Sequence, residues 1–445
     1  MQTILHNSKP QARPPRVVLP PSVNLITSLS RIAKKHRDIA HVLSPVLDFY
    51  FLNDAKMVDE VLVTKHMDFV KGDLVKRGKK VFGEGLLTSE GEFHHRQKRL
   101  VQPAFYSSKV ATYSDAMMRY TDRMLGSWKD GEVLDIHKEM THLTMSIMAK
   151  CLFDKDIDTA GKDIVKSLSD VVEYFDRLSG PFAWFLGRLP INGRYEISLM
   201  KIDRMIYDII LERKRISRDY ADILSMFLRA KDSSGHRAMS DKQVHDETLI
   251  LFAAGHETTA NALSWAWYLI SKSPRVETQL HEEIDLVLGK DNRLPTAEDI
   301  PRLDYTRKVF TETLRLYPPA WAVIRQAARD VRIGEYEIPR GANVLVSQYI
   351  LQRDSRYFPH PERFDPDRWT DEMKSNLPKM AYFPFGGGPR GCVGAPFAWM
   401  EGILVLARIA SKWKLELQDR GYVEMLPRTT LRPKKGITMR ATRRD

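Results

Sequence analysis

The chain has 445 residues, 43% of them hydrophobic, and its 69 Lys and Arg outnumber its 57 Asp and Glu to give a formal net charge of +12. The hydrophobic content supports a sizeable core. The two cysteines exclude a disulfide framework and favour a reducing compartment, the cytoplasm. Because the basic residues are scattered, we predict no nucleic-acid partner and expect an acidic protein partner instead.

The N-terminal segment 1–21 is polar and rich in proline. It contains no run of the ~20 apolar residues that a transmembrane helix needs, so we predict a soluble chain without a transmembrane anchor. After it, the pattern predicts a strand at 48–52 and a helix at about 54–65.

The stretch 91–317 is predicted to be overwhelmingly helical. Its clearest helix covers 240–270, where Ser240 and Gln243 have the spacing of a capping box. A helix of that length spans about 45 Å, and its apolar residues lie almost all round, so it should be buried. Two further helices are predicted at 274–288 and 304–316, the second ending before a pair of prolines.

Strand patterns return at 331–334 and 343–347, and the last ones lie near the C-terminus. The predicted fold is mainly α with a smaller β region. We predict a single domain, 1–445, because the β-rich parts come from both ends of the chain. These parts are 15–65, 318–364 and 415–440, and they flank a helical body of 91–317 and 395–412.

Cys392 lies in the run Phe385–Gly394, which contains five glycines, and it precedes a helix predicted from Ala395. A helix N-terminus favours an anion and lowers the pKa of a thiol, and a thiolate is an axial ligand of haem iron. Most lone cysteines are small core residues, but such a residue needs no glycine run around it. A phosphate loop would need Gly-Lys-Ser/Thr, and a zinc site would need more ligands than Cys151 supplies.

The run contains Phe-x-x-Gly-x-Arg-x-Cys-x-Gly at every fixed position and resembles the signature of the cytochrome P450 family. The segment 254–259 likewise resembles the family's Ala/Gly-Gly-x-Asp/Glu-Thr motif. The resemblance implies the cytochrome P450 fold, with a long central helix crossing over haem b, and Cys392 as the axial ligand. It also implies that Gly255 brings the helix close to the haem and that Glu257 and Thr258 are catalytic, passing protons to bound dioxygen.

The family pattern implies further residues around the haem. Glu312, Arg315 and Arg363 are expected to form a buried triad that holds the Cys392 loop. On the helix after Gly91 the family places a basic pair, for which Arg96 or Arg99 remains an alternative to the expected lysine. The expected cofactor-binding residues are His94, Lys98, Arg325, Phe385 and Arg390.

The resemblance also implies a mostly apolar substrate pocket, and hence a lipophilic substrate such as a fatty acid, a terpenoid or a polyketide. Each wall residue is equally consistent with plain core, and Arg428 is a candidate anchor for a carboxylate. The expected wall residues are Phe82, Leu86, Leu87, Leu249, Phe252, Ala253, Trp321, Val323 and Leu426.

The predicted function is a haem-thiolate monooxygenase that inserts one atom of dioxygen into its substrate. No flavin or iron–sulfur segment follows in the sequence, so we expect NAD(P)H to supply electrons through an acidic ferredoxin or flavodoxin and its reductase. Two alternatives stay open: a haem-thiolate isomerase or dehydratase that needs no reductase, and a non-catalytic haem-binding protein. The intact Glu257–Thr258 pair argues against both, since neither needs a proton relay.

Overall fold

The structure is a computed structural model that describes residues 13–20, 24–45, 47–156, 162–179, 193–216, 220–231, 235–289, 293–419 and 421–444. The chain divides into two compact units. The first unit comprises Met1–Asp73, Ala322–Pro361 and Asn376–Gly391, and the second comprises Leu74–Trp321, Glu362–Ser375 and Cys392–Asp445. The single domain expected from the sequence stays a prediction.

The helices lie mostly in the second unit. In chain order the α-helices are α1 Leu25–His36, α2 Ala55–Asp59, α3 Gly72–Phe82, α4 Gly91–Val101, α5 Ser107–Ala111, α6 Ser114–Ser127, α7 Ile136–Phe153, α8 Lys162–Ser179, α9 Gly193–Arg215, α10 Ile223–Arg229, α11 Asp241–Ser271, α12 Pro274–Leu288, α13 Asp304–Leu316, α14 Gln348–Leu351, α15 Asp371–Asn376 and α16 Ala395–Lys412. Short π- and 3₁₀-turns occupy Glu60–Thr64, His66–Asp68, Gln102–Phe105, Ala297–Arg302, Pro366–Arg368, Lys379–Ala381 and Gly388–Arg390.

The strands of the described residues form four sheets. They are β1 Arg16–Val18, β2 Ile39–Leu43, β3 Phe49–Leu52, β4 Phe69–Val70, β5 Glu132–Asp135, β6 Val323–Ala327, β7 Val331–Ile333, β8 Tyr336–Ile338, β9 Asn343–Val346, β10 Trp413–Leu417, β11 Met425–Pro427, β12 Leu431–Pro433 and β13 Thr438–Arg443. The first unit holds the six-stranded sheet β1-β2-β3-β9-β6-β4 and the hairpin β7-β8. The second unit holds β10-β13-β5 and the hairpin β11-β12.

The core of the first unit forms where this mixed sheet buries its β-branched and aromatic residues. β3 pairs in parallel with β9, and β9 pairs antiparallel with β6. Leu52, Phe69, Val344 and Val346 are all buried in one hydrophobic cluster with Phe383. Strands of this kind need partners on both sides, which explains why segments far apart in the chain assemble into one sheet.

The long central helix α11 has the N-terminal cap that the sequence predicts. The backbone N–H of Gln243 donates to Ser240 Oγ at 3.2 Å, and the backbone N–H of Ser240 donates to Gln243 Oε1 at 2.8 Å. The helix packs against α7, α9, α13 and α16. Its side chains are buried almost throughout, with Phe252 and Trp265 fully enclosed.

Several predicted elements are confirmed, and one strand was missed. The helices predicted at 274–288 and 304–316 have those bounds, and Gly289 ends the first with a φ of 77°. The helix expected at 54–65 is α2 continued by a π-turn. β5 lies inside the stretch expected to be helical, because Asp135 pairs with Thr438, about 300 residues later, and no local pattern encodes such a pairing. Among the described residues, no helix combines the length and apolar character required to cross a membrane.

Candidate active site

Cys392 lies in the turn that enters α16, whose N-cap is Gly394. Its side chain is accessible to solvent, while the protein around its other sides raises the pKa of the thiol. The backbone N–H groups of Gly394 and Ala395 and the ammonium group of Lys98 act in the opposite direction and lower that pKa. These donors offset part of the effect of burial on the pKa, so the residue combines an accessible face with groups that act in favour of the thiolate.

The glycine run before Cys392 is held by backbone contacts within the first unit. Gly388 has a φ of 65°, and a Cβ at this position would lie 2.1 Å from the carbonyl oxygen of Leu62. The N–H of Gly391 donates to the carbonyl of Gly388 at 3.0 Å, and Arg390 Nη1 donates to the carbonyl of Phe69 at 2.8 Å. Glycine is required at 388 because any side chain would collide with the π-turn backbone.

A short accessible window interrupts the buried helix α11. Residues 244–253 and 259–270 are buried, whereas Ala254 is exposed and Thr258, one turn later, is half-buried. Thr258 Oγ1 donates to the carbonyl of Ala254 at 2.9 Å. A buried helix that exposes a polar residue at one turn indicates a space beside that turn.

Gly255 lies where α11 packs against α7. A Cβ on Gly255 would lie 2.0 Å from Met148 Cε, so the missing side chain admits α7. The absence of a side chain at this position therefore allows close packing of two helices, and the expectation that this glycine brings the helix close to a haem stays a prediction. Ala254 is the residue that exposes helix surface at the window.

Glu257 points toward the hairpin β11–β12 of the second unit. Thr430 Oγ1 donates to Glu257 Oε1 at 2.6 Å, and Arg432 Nη1 lies 3.9 Å from the same oxygen. Burial raises the pKa of the Glu257 carboxyl, as does the charge of Asp176, whereas Thr430 and Arg432 lower it. The carboxyl is thus able to hold or release a proton, which a relay acid must do.

Glu312 and Arg315 form a fully buried ion pair on α13, each side chain 0% exposed. Arg315 Nε and Nη2 donate to the two carboxylate oxygens of Glu312, each at 2.8 Å. The same carboxylate accepts three further hydrogen bonds, from Arg368 Nε at 2.9 Å, Trp369 Nε1 at 2.9 Å and the backbone N–H of Asp365 at 3.0 Å.

The third member expected for this triad is corrected. Arg363 takes part only through its carbonyl, which accepts from Arg315 Nη2 at 3.1 Å, and the residue is exposed. Arg368 supplies the second guanidinium, because the 3₁₀ turn Pro366–Arg368 directs it toward Glu312. The neighbouring residue in the sequence indicates Arg368 rather than Arg363 as the third member, since Arg368 is followed by Trp369, whose indole also donates to Glu312.

The expected propionate-binding residues lie in both units. On α4, His94 is buried and Lys98 lies one turn later, where burial lowers its pKa and the charge of Cys392 raises it. Arg96 donates to the carbonyl of Ala238 at 2.5 Å, and Arg99 is exposed. In the first unit, Arg325 Nη1 donates to the carbonyl of Ile324 at 3.0 Å, and Phe385 is half-buried. The binding roles of these residues stay predictions.

The expected pocket residues separate into two groups. Leu249, Phe252 and Phe82 are buried, and the two phenylalanines pack edge-to-face on Phe153 and Phe175 respectively. Their burial is consistent with plain core, and the pocket roles of these three residues stay predictions. Ala253 and Trp321 keep a little accessible surface, and the more accessible residues are Leu86, Leu87, Val323 and Leu426.

One buried acid of the second unit was not singled out from the sequence. Glu401 on α16 is fully buried, and neither carboxylate oxygen has a hydrogen-bond partner among the described residues. Burial raises the pKa of this carboxyl to about 8, and the Thr259 hydroxyl beside it acts in the opposite direction. That hydroxyl donates instead to the carbonyl of Gly255, at 3.3 Å.

Comparison with known proteins assigns the family. A family model described as Cytochrome P450 matches residues 20–441. The chain belongs to the cytochrome P450 family. It is a haem-dependent monooxygenase that takes its electrons from NAD(P)H through a redox partner.

The chain is similar along most of its length to three bacterial enzymes of the family. Cyclooctatin synthase of Streptomyces melanosporofaciens is 36% identical over 91% of this chain and 87% of its own. Cyclooctat-9-en-7-ol 5-monooxygenase of the same species is 35% identical over 85% and 83%. Pentalenene oxygenase of Streptomyces avermitilis is 31% identical over 92% and 91%.

A solved structure confirms the predicted fold. The haem domain of cytochrome P450DA matches the chain with a TM-score of 0.87, covering 98% of each chain at 24% sequence identity. At this identity the match establishes the fold alone. The helix-rich P450 fold with a smaller β region is therefore as predicted.

The residues of the second unit fit a haem. Cys392 offers an accessible sulfur whose anion is favoured by two backbone N–H groups and Lys98. The α11 window offers accessible surface at Ala254 and Thr258 between the buried stretches 244–253 and 259–270. A thiolate ligand and an adjacent acid–alcohol pair form the donor set that an oxygen-activating haem needs.

Proposed function

We propose that the chain hydroxylates a cyclic terpenoid, with Cys392 as the haem ligand and with Glu257 and Thr258 as the residues that deliver protons during the reaction. The observation that carries this proposal is the α11 window, where an acid and an alcohol are adjacent at an accessible turn between the buried stretches 244–253 and 259–270. Bound haem supplies the site at which dioxygen is activated by electrons from the redox partner.

The two polar residues of the window have complementary roles. The proton of the Thr258 hydroxyl is donated to the Ala254 carbonyl, so its lone pairs remain as acceptors on the accessible side. Such an oxygen can accept a hydrogen bond from a water molecule and hold it in place. Glu257 precedes it in the chain, and its raised pKa favours a protonated carboxyl that can replace each proton consumed.

The role of Thr258 is tested with the coupling of NADPH oxidation to product formation. We expect Thr258→Val to lower coupling about tenfold, since general acid–base contributions reach two to four orders of magnitude, while Thr258→Ser retains most of it. Thr259→Val is the matched control, because Thr259 makes the same bond one turn back but is buried. Equal coupling in Thr258→Val and wild type would contradict the proposal.

The substrate class is proposed from the apolar lining and from the similar enzymes. The one polar atom of the Trp321 side chain, Nε1, is occupied by the carbonyl of Arg428 at 2.7 Å, and Ala253 and Leu426 add apolar surface. Two of the similar enzymes are named for a cyclic alkenol and a cyclic alkene. These features support a cyclic terpenoid over the fatty acid and polyketide also expected from the sequence.

Optical titration discriminates the three classes, because a substrate that displaces water from haem iron changes the Soret spectrum. We expect cyclic terpenes and their alcohols to give this change at lower concentration than fatty acids or polyketides. The exposed Arg428 is the candidate carboxylate anchor, so Arg428→Ala should leave terpenoid binding unchanged. Weaker binding of a fatty acid in Arg428→Ala, with no response to terpenoids, would reverse the assignment.

An acidic ferredoxin or flavodoxin is the proposed electron donor. The net charge of +12 supports a partner of opposite charge, and attraction between opposite charges raises the association rate. We expect that rate to fall as salt rises from 0.05 to 0.5 M, since the Debye length shortens to a few ångströms. A rate independent of salt would exclude this kind of partner. The cytoplasmic location stays a prediction from the cysteine content.

A further inference from the structure

The hydroxyl of Thr430 has only one orientation that satisfies its neighbours. Asn261 Nδ2 donates to Thr430 Oγ1 at 3.2 Å, so this oxygen acts as an acceptor toward α11. Its single proton is then directed to Glu257 Oε1 at 2.6 Å. Asn261 lies one turn after Glu257 on the same helix, so the hairpin threonine is held between two side chains of α11 and aims a donor at the carboxylate.

Arg432 lies two residues further along the hairpin and faces two carboxylates. Its Nη1 is 3.9 Å from Glu257 Oε1, and its Nη2 is 3.5 Å from Asp176 Oδ2. Asp176 is buried, and Oδ1 accepts from the backbone N–H of Thr429 at 3.0 Å. Asp176 Oδ2 has no hydrogen-bond partner in the part of the chain that the structure describes. The guanidinium group of Arg432 therefore lies within ion-pair distance of two carboxylates without a close hydrogen bond to either.

The cluster lies between solvent and the α11 window. The side chain of Arg432 is 28% exposed, that of Glu257 15% and that of Asp176 3%. Among the described residues, His137 of α7 is a further titratable group on which the charge of Arg432 acts; burial lowers its pKa to about 4, so it is neutral. The accessible part of Arg432 therefore lies within 4 Å of the Glu257 carboxyl group.

We propose that the β11–β12 hairpin is the entrance through which Glu257 regains its proton from solvent, with Thr430 and Arg432 as positioning residues. Thr430 holds the carboxyl group at the hairpin, and Arg432 places a positive charge beside it at the accessible side of the cluster. Each proton that Glu257 releases toward Thr258 is replaced by one from water at Arg432, so no electrons move. The inference rests on the proposed role of Glu257 in the reaction.

Thr430 and Arg432 stabilise the ionised form of Glu257, so removing either of them changes the pKa of Glu257 in a direction that can be stated in advance. A hydrogen bond or a cation that stabilises a carboxylate lowers its pKa, and losing it raises the pKa. We expect Thr430→Val and Arg432→Gln each to raise the midpoint for Glu257 protonation by about one pH unit. Thr430→Ser keeps the donor, and its midpoint should stay within ~0.3 pH units of wild type.

Infrared difference spectroscopy measures this midpoint without turnover. The C=O stretch of the protonated Glu257 carboxyl is identified by its disappearance in Glu257→Gln, and it is then followed against pH. Lys434→Gln is the matched control, because it also removes a cation next to this hairpin. The cation of Lys434 pairs with Glu424, at 2.7 Å. A shift in Arg432→Gln no larger than in Lys434→Gln would overturn the role of Arg432, and an unchanged midpoint in Thr430→Val would overturn that of Thr430.

Coupling measurements separate this inference from the proposed function. We expect Thr430→Val and Arg432→Gln to lower the product formed per NADPH several-fold and to increase the solvent deuterium isotope effect. If Glu257→Gln keeps full coupling, the proposed role of Glu257 fails. If Glu257→Gln uncouples the enzyme while the two hairpin variants behave like wild type, the role of Glu257 stands and the entrance at the hairpin is refuted.

Discussion

Replacement of Glu312 by alanine tests the buried network around α13 most directly. The carboxylate accepts from the Arg315 and Arg368 guanidiniums, from the Trp369 indole and from the backbone of Asp365. In Glu312→Ala these donors lose their common acceptor. The guanidinium of Arg315 is then left 0% exposed without its counter-ion.

The expected cost follows from the burial. Removing one partner of a buried ion pair destabilises a protein by about 3–5 kcal/mol, because an uncompensated charge remains in the interior. Asp304 offers a matched control on the same helix. It pairs with Arg307 at the same i, i+3 spacing and with Lys308 at 2.9 Å, but its side chain is 46% exposed. Asp304→Ala should therefore cost only about 0–1 kcal/mol.

Two measurements report on the variants: the free energy of unfolding in urea, and the ratio of Soret to protein absorbance as a measure of haem occupancy. The network lies just before the segment that leads to Cys392, so we expect Glu312→Ala to lose most of its haem and Asp304→Ala to keep it. The reasoning is refuted if Glu312→Ala and Asp304→Ala have equal free energies of unfolding, or if Glu312→Ala is purified with full haem.

Three further predictions concern the glycine run, a buried acid and the cysteines. Gly388→Ala should abolish haem binding because its Cβ would lie 2.1 Å from the Leu62 carbonyl. Gly341→Ala is the control: it is also at positive φ but has no described atom within 4 Å, so it should lower the free energy of unfolding by only about 1–2 kcal/mol. Equal haem content in the two variants would disprove the clash. Glu401 keeps its proton in the folded state up to a pKa of about 8, whereas the unfolded chain releases it near the ordinary value of 4.5. The contribution of this group to the free energy of unfolding is therefore present below about pH 4.5 and is lost toward pH 8, by ~1.4 kcal/mol per pH unit. In urea unfolding, the free energy of unfolding of Glu401→Gln should decline less steeply with pH over that range than that of the wild type. Identical slopes in the two proteins would show that Glu401 ionises normally. In haem-free protein, iodoacetamide should modify the accessible Cys392 and not the buried Cys151, whose pKa burial raises, and mass spectrometry showing label on Cys151 in folded protein would contradict its burial.

The elements that the sequence predicted are those encoded by neighbouring residues. The cap of α11, the end of α12 at Gly289 and the position of Cys392 before α16 each depend on a few consecutive side chains. The family signature around Cys392 and the Glu257–Thr258 motif are also local, so the amino-acid sequence was sufficient to predict the enzyme class.

Contacts between distant segments could not be predicted in the same way. Arg363 and Arg368 have the same chemistry, and only the 3₁₀ turn directs the second toward Glu312. Thr430 and Arg432 lie more than 170 residues from Glu257, and Met148, which packs beside Gly255, lies more than 100 residues from it.

The amino-acid sequence by itself determined that this protein is a cytochrome P450 monooxygenase, because the signatures of the family need only short runs of suitable residues. Tertiary structure alone decided which side chains surround those groups and which charges they meet. The physical reason is that pairing across the fold depends on burial and on the approach of separate segments, and neither leaves a periodic pattern along the chain.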